Sequence, residues 1–330
     1  MQEDVASALP DDAPLAAVQR GPLIENTHRG RFAVCGPDGT VLVSAGDPEG
    51  YVYARSSAKP FQALSLILSG AADAFGLTDN EIAIACASHS GEEVHLSAVR
   101  SLLQKAGVSE GHLQSGPHRP FYGPAADRLV RSGEPARPIH GNCSGKHAGM
   151  LAVCAHEGWR LRGYREPDHP VQRWILELVA EVCGLDEDEI LLGGDGCGVP
   201  SFALPLRKLA TGFARFATGE QLPANLEEAC GRIREAMRSH PQLVAGTGRF
   251  DTELMEKSGL LVKGGADGVF ACGSPKGWGL ALKISDGASR AVRPAALSAL
   301  ARQEEFFGIP ETSEVRDLHG EIVGETVSFR

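Results

Sequence analysis

Residues 260–284 read LLVKGGADGVFACGSPKGWGLALKI. Three short apolar runs, Leu260–Lys263, Gly268–Cys272 and Gly279–Ile284, are separated by glycine-rich breaks, a spacing that predicts an antiparallel meander. Beyond it, the apolar spacing of Ala291–Phe306 predicts a helix lying over that sheet. Near the other chain end, Arg31–Cys35 and Thr40–Ala45 flank Gly36-Pro37-Asp38-Gly39, which predicts a hairpin, with Tyr51–Arg55 as a further strand. Between these ends helices dominate. They are predicted in the stretch FQALSLILSG that closes at Gly70, and over Glu93–Ala106, Ser144–His156, Pro170–Val182 and Leu222–Arg238. Gly111–Ile139, rich in Gly, Pro and His, is expected as a long loop. Strands at both ends with helices between give an α+β fold. One domain over residues 17–330 is expected, with a central antiparallel sheet from both chain ends and a helical lobe over roughly 60–190. Residues 1–16, rich in Asp, Pro and Ala, are expected to be flexible.

The composition excludes several function classes. A net charge of −10 over 330 residues lacks the basic face that phosphate binding needs, so no nucleic-acid partner is expected. It also disfavours an anionic membrane surface, and no apolar run reaches the roughly 18 residues of a span. The acidic start MQEDVASALPDDAPL has no secretory pattern, so a cytoplasmic location is expected. The eight cysteines are scattered without a C-x-x-C pair and read as buried thiols rather than a disulfide framework.

Four short segments carry chemistry. In Arg55-Ser56-Ser57-Ala58-Lys59-Pro60, Pro60 fits only a first helical turn, so Ser56 stands at a helix start. Lys59, three residues on, can share a face with Ser56. A serine hydroxyl needs a base to become a nucleophile, and a lysine serves if burial or nearby cations such as Arg55 lower its pKa. The same four residues equally describe a solvated helix start with a serine cap. Cys86-Ala87-Ser88-His89-Ser90-Gly91 reads as a tight turn with exposed hydroxyls, or as a simple cap for the next helix. Val262-Lys263-Gly264-Gly265 ends a strand with a lysine that can point into a cleft, or into solvent at a hairpin.

In order, Ser-x-x-Lys, Ser-x-Ser and Lys-Gly-Gly resemble the S-x-x-K, S-D-N and K-T-G motifs of serine β-lactamases and penicillin-binding proteins. Ser88-His89-Ser90 is not S-D-N, and Lys263-Gly264-Gly265 lacks the Thr, which argues for an amide substrate other than a β-lactam. The fourth segment pairs Asn142-Cys143-Ser144-Gly145-Lys146-His147 with Asp195-Gly196-Cys197-Gly198. Two thiolates and a deprotonated lysine amine could bind zinc and leave one position open. Two buried cysteines near a loop satisfy the spacing as well.

Taken together, RSSAKPFQAL, ACASHSGE, GNCSGKHAGML, GDGCGVPSFALPL and LVKGGADGVFA resemble, in order, the rhizobial-type L-asparaginases of the asparaginase II family. The resemblance spans roughly residues 18–330. It implies the serine β-lactamase-like α+β fold and hydrolysis of L-asparagine to L-aspartate and ammonia. It implies two Ser–Lys tandems, Ser56 with Lys59 and Ser88 with Lys263. Lys283 competes with Lys263 as the partner of Ser88. It further implies Zn2+ held by Cys143, Lys146 and Cys197. Arg55, Asn142, His147 and Asp195 would line the substrate pocket, and a homodimer is implied. Two rival readings stand beside it: a glutaminase or other β-lactamase-like amidohydrolase, and a non-catalytic zinc- or amino-acid-binding protein.

Overall fold

A computed structural model describes residues 10–303 and 307–329. In chain order the strands are β1 (Ala13–Arg20), β2 (Leu23–Cys35), β3 (Val41–Ala45), β4 (Tyr51–Tyr53), β5 (Leu191–Gly194), β6 (Pro200–Pro205), β7 (Leu261–Gly264), β8 (Val269–Ser274), β9 (Trp278–Ile284), β10 (Ser313–Arg316) and β11 (Ile322–Ser328). The first six helices are α1 (Lys59–Leu68), α2 (Ala71–Ala74), α3 (Asp79–Ala85), α4 (Glu93–Lys105), α5 (Gly123–Ser132) and α6 (Ser144–His156). The remaining six are α7 (Pro170–Cys183), α8 (Leu206–Thr218), α9 (Ala224–Ser239), α10 (Pro241–Val244), α11 (Phe250–Ser258) and α12 (Ser289–Ala301). The mixture of helices with an antiparallel sheet is the α+β class expected from the sequence.

The chain divides into two compact units, one of residues 1–57, 203–218 and 264–330, the other of 58–202 and 219–263. The helical part is therefore longer than the expected 60–190 and includes a second passage of the chain. The first unit is a sheet whose strands run β10-β11-β1-β2-β9-β8, with β3 also paired to β2. Strands from the two chain ends meet where Ala16 pairs with Ser328 and Val34 with Leu280, both antiparallel. The Gly36–Gly39 turn closes the β2–β3 hairpin, with Gly39 N donating to Gly36 O at 3.0 Å and Asp38 Oδ1 accepting from Thr40 N at 3.0 Å. Strand β8 is buried at every residue and β9 at all but Lys283. Such two-sided burial needs cover on both faces, and α8 and α12 supply it.

Three expectations need correction. The stretch Tyr51–Arg55 forms a strand only to Tyr53 and pairs with β6 in a separate three-stranded sheet. Arg55 instead begins a 3-10 turn, Arg55–Ala58. The expected loop Gly111–Ile139 contains α5, with Pro in its first turn and Gly133 as its left-handed C-cap. Its helical stripe is short and almost wholly exposed, so the Gly and Pro that punctuate it outweigh a weak apolar period. The expected flexible segment 1–16 overlaps β1, which begins at Ala13 and buries Leu15 and Ala16; its residues 1–9 lie outside the described residues. The end of the expected Ala291–Phe306 helix, residues 304–306, lies outside them too.

In the second unit, α1 is the central helix. Every residue from Lys59 to Ile67 is buried, and α6, α7 and α9 pack around it. A helix buried on all sides is ordinarily apolar throughout. A lysine at its first position therefore costs free energy unless it meets acceptors.

Candidate active site

That lysine meets three acceptors. Lys59 Nζ donates to Ala87 O at 2.7 Å, to Ser88 Oγ at 2.9 Å and to Cys143 Sγ at 3.2 Å. A second fully buried lysine, Lys263 on β7, lies with Nζ 2.9 Å from the same Ser88 Oγ. Ser88 follows α3 in an extended segment whose backbone is fixed by Ser88 N donating to Val244 O at 2.9 Å.

Two lysines on one hydroxyl constrain each other. A hydroxyl has one proton to give and two lone pairs. If both amines were ammonium ions, the serine proton would face only donors at these contacts, and two like charges would flank one oxygen. Lys59 offers one N–H to each of three acceptors, which is the pattern of an ammonium. Lys263 is then the better placed of the two to give up its proton. Electrostatics agrees: burial, with the cations Lys59 and Arg249, lowers Lys263 to about 7, against the pull of Asp251. Burial lowers Lys59 as well, with Lys146 acting the same way and the Cys143 sulfur opposing it.

The second cluster adjoins the first through Cys143. Helix α6 carries Lys146 and His147 because it lies unusually close to α3. A Cβ added at Gly145 would stand 2.0 Å from the Ile84 carbonyl oxygen. Backbone meets backbone there, so nothing flexible can yield. Gly145→Ala is expected to destabilise the protein by about 1–3 kcal/mol or more, as overpacking does, read as a lower melting temperature than that of the wild-type protein. Lys146 Nζ donates to Cys197 Sγ at 3.1 Å and lies 3.6 Å from Asp195 Oδ2. Cys197 Sγ is 3.4 Å from the same carboxylate oxygen. The neighbouring Cys197 sulfur, then Lys59 and Lys146, holds Cys143 well below the usual thiol range despite burial, while Cys143 and burial push Cys197 up. Burial opposes charge on Lys146, yet Cys197, Cys143 and Asp195 outweigh it and raise its pKa.

Such a donor set fits a borderline-soft cation. Two sulfurs and one amine converge, and zinc would take the place of their protons. Among the described residues no group of three His, Cys, Asp or Glu side chains forms a metal site, so any site here must include the lysine.

His147 is fully buried and neutral, its pKa lowered by burial and by Lys146, Lys59 and Arg165. Its Nδ1 lies 2.7 Å from Tyr164 Oη, which itself accepts from Gln114 N at 3.0 Å. Its Nε2 is buried without a partner among the described residues. Asn142 N donates to His118 Nε2 at 2.8 Å, and its side-chain oxygen is 3.5 Å from Cys143 Sγ.

The second unit thus brings together Lys59, Ser88, Lys263, Cys143, Lys146, Cys197, Asp195, His147 and Asn142 from the sequence-predicted set. Ser56 and Arg55 belong to the first unit. Ser56 is buried in the 3-10 turn, and Arg55, at φ 50°, is ion-paired with Asp267. Lys283 donates to Asp267 O at 2.7 Å and to Ile284 O, whereas Lys263 stands at Ser88. Tyr164, Arg249 and Asp251 were missed. They carry no motif, and only the folded chain places them near His147 and Lys263.

The family model described as L-asparaginase II matches residues 16–325. The chain belongs to the L-asparaginase II family. Among curated proteins none matches its sequence. Among solved structures it is similar to Mglu in its native form, at 15% identity and TM-score 0.40, over 93% of this chain and 70% of that one. It is also similar to Mglu in its tris and glutamate form, at 15% identity and TM-score 0.38, over 91% of this chain and 64% of that one. A third similarity is to a β-lactamase from Mycobacterium bovis, at 15% identity and TM-score 0.42, over 83% of this chain and 94% of that one. The chain thus spans just under two thirds of Mglu's length in the tris and glutamate form. No helix among the described residues of this family member is long and apolar enough to cross a membrane.

Proposed function

We propose that this member of the L-asparaginase II family hydrolyses L-asparagine to L-aspartate and ammonia through a serine held between two lysines. The observation that carries the reading is the row Lys59–Ser88–Lys263, with each amine 2.9 Å from one hydroxyl oxygen.

Neutral Lys263 takes the Ser88 proton as Oγ attacks the side-chain amide carbon. The Lys59 ammonium stabilises the forming alkoxide and stays charged. The proton on Lys263 then passes to the amide nitrogen, ammonia leaves, and an aspartyl ester remains on the serine. Water, deprotonated by the same amine, releases aspartate. Asp195 would anchor the substrate α-ammonium by a charge-assisted bond, and His147 Nε2–H would meet its α-carboxylate. A second reading puts the attack on Ser56, with Lys59 as its base and Ser88–Lys263 as the relay; the Ser-x-x-Lys spacing at a helix start favours it.

Cys143, Lys146 and Cys197 would hold zinc, which when bound would supply a Lewis acid and an orienting charge beside the substrate. We expect one zinc per chain by metal analysis, and less than about a tenth of that in Cys197→Ala, since a bidentate remnant holds zinc poorly. We further place the protein in the cytoplasm as a homodimer; sedimentation at the monomer mass would overturn the second point.

Ammonia release measured side by side on L-asparagine, L-glutamine and a penicillin tests the substrate. Preference for asparagine supports the proposal, preference for glutamine supports a glutaminase, and tight asparagine binding without turnover supports a non-catalytic binder.

A further inference from the structure

A cleft of about 250 Å³ lies between α4, α5 and the Pro138–His140 turn of the second unit. It is smaller than the roughly 300–1,000 Å³ of pockets for drug-sized ligands, a size for a small metabolite. Its charged lining is three arginines, Arg100, Arg128 and Arg137, against two glutamates, Glu93 and Glu134. Some of these charges are already used. Arg100 pairs with Glu93 at 2.9 Å, and Arg137 with Glu110 at 2.8 Å. Arg128 and Glu134 have no ion-pair partner among the described residues, so one unused cation and one unused anion face the same cleft.

His140 adds an independent observation. It is 6% exposed and lines the cleft. Its Nδ1 accepts from Arg137 N at 2.9 Å, which leaves the neutral ring's proton on Nε2. That donor has no hydrogen-bond partner among the described residues and opens onto the cleft.

We propose that this cleft is a second ligand site, and that its ligand is an acidic α-amino acid. Arg128 would take one carboxylate, and His140 Nε2–H the other. Glu134 would take the α-ammonium. With Arg100 held by Glu93 and Arg137 by Glu110, the groups left for a ligand are two donors, Arg128 and His140, and one acceptor, Glu134, which match two carboxylates and one ammonium. The wall of Leu96, Pro120 and Ala125 suits a short hydrocarbon backbone and disfavours a bare inorganic anion. The cleft also touches Gly91, where an added Cβ would meet Pro120 Cβ at 2.8 Å.

Calorimetric titration of the full chain with L-glutamate tests this, with glutarate and inorganic phosphate as controls. L-Glutamate binding is expected to weaken at least tenfold in Arg128→Ala and in Glu134→Gln, while Lys263→Met leaves it unchanged. Glutarate, lacking the ammonium, should bind at least tenfold more weakly than glutamate and be indifferent to Glu134→Gln. Arg128 and Glu134 are exposed, so these variants keep the fold, checked by an unchanged melting temperature. Absence of L-glutamate binding, binding untouched by Arg128→Ala, or phosphate binding as tightly would each overturn the proposal. Because the test reads binding and not turnover, it stands or falls apart from the proposed hydrolysis.

Discussion

Ser88→Ala is expected to lower kcat for L-asparagine by about 10³-fold or more, with little change in KM. The hydroxyl oxygen lies 2.9 Å from both the Lys59 and the Lys263 amine. Its loss removes the proton acceptor–donor bridge between them, whether Ser88 attacks or only relays. Removing a member of a nucleophile–base unit costs rates of this order. In the proposed function substrate recognition rests on other groups, Asp195 and His147, so KM should hold. The fold should hold too, since Ala keeps the volume of a buried small side chain. Two ammonium-forming groups then face each other without the oxygen between, and one of them titrates more readily. Steady-state kinetics with a melting curve checks both parts. A Ser88→Ala protein with more than a tenth of the wild-type kcat contradicts the reading.

The second large effect concerns Lys263. In the proposed mechanism a neutral amine is the active form of Lys263, whose pKa is lowered to about 7 by burial and by Lys59 and Arg249. The rate is therefore expected to rise tenfold per pH unit below 7 and to level off above it. Lys263→Met should lower the plateau by about 10²–10⁴-fold, the range for a lost general base, and should abolish that ascending limb. Lys263→Arg should fail as badly, because a guanidinium does not give up its proton near neutrality. Stability gives the same sign by linkage. Between about pH 7 and the ordinary lysine range the unfolded chain binds a proton that the folded chain does not. Folding is thus favoured as pH rises through that window, and the cost of burying this residue is fully present below 7. Thermal melts of wild type against Lys263→Met across pH 6–9 read that difference directly. A rate independent of pH across this window would contradict the neutral-base assignment.

The sheet was the legible part of the fold. Leu260–Lys263, Gly268–Cys272 and Gly279–Ile284 alternate with glycine breaks and emerge as β7, β8 and β9. Helix α6 appears over the residues expected, Ser144–His156. What failed to announce itself was α5, too exposed to carry an apolar stripe, and β1, hidden in an acidic, Pro-rich start. The site was legible as a set of residue types but not as a set of contacts. Ser-x-x-Lys spacing suggested that Lys59 serves Ser56, yet its amine is bonded to Ser88, Ala87 O and Cys143, partners 28 to 84 positions away. No local period encodes such contacts. Likewise nothing in Leu161–Arg165 marks Tyr164 as the hydrogen-bond partner of His147. The choice between Lys263 and Lys283 was undecidable by spacing, because each ends or crosses a late strand. Only strand register sends one to Ser88 and the other to the carbonyls of Asp267 and Ile284.

Rapid acid quench of the wild-type protein mixed with L-asparagine, followed by peptide mass analysis, shows which serine is acylated. An aspartyl ester is expected on the peptide containing Ser88, absent in Ser88→Ala and accumulating with the first equivalent of ammonia. Ammonia release with no covalent adduct on any serine, or an adduct on Ser56 that persists in Ser88→Ala at the wild-type rate, would contradict attack by Ser88.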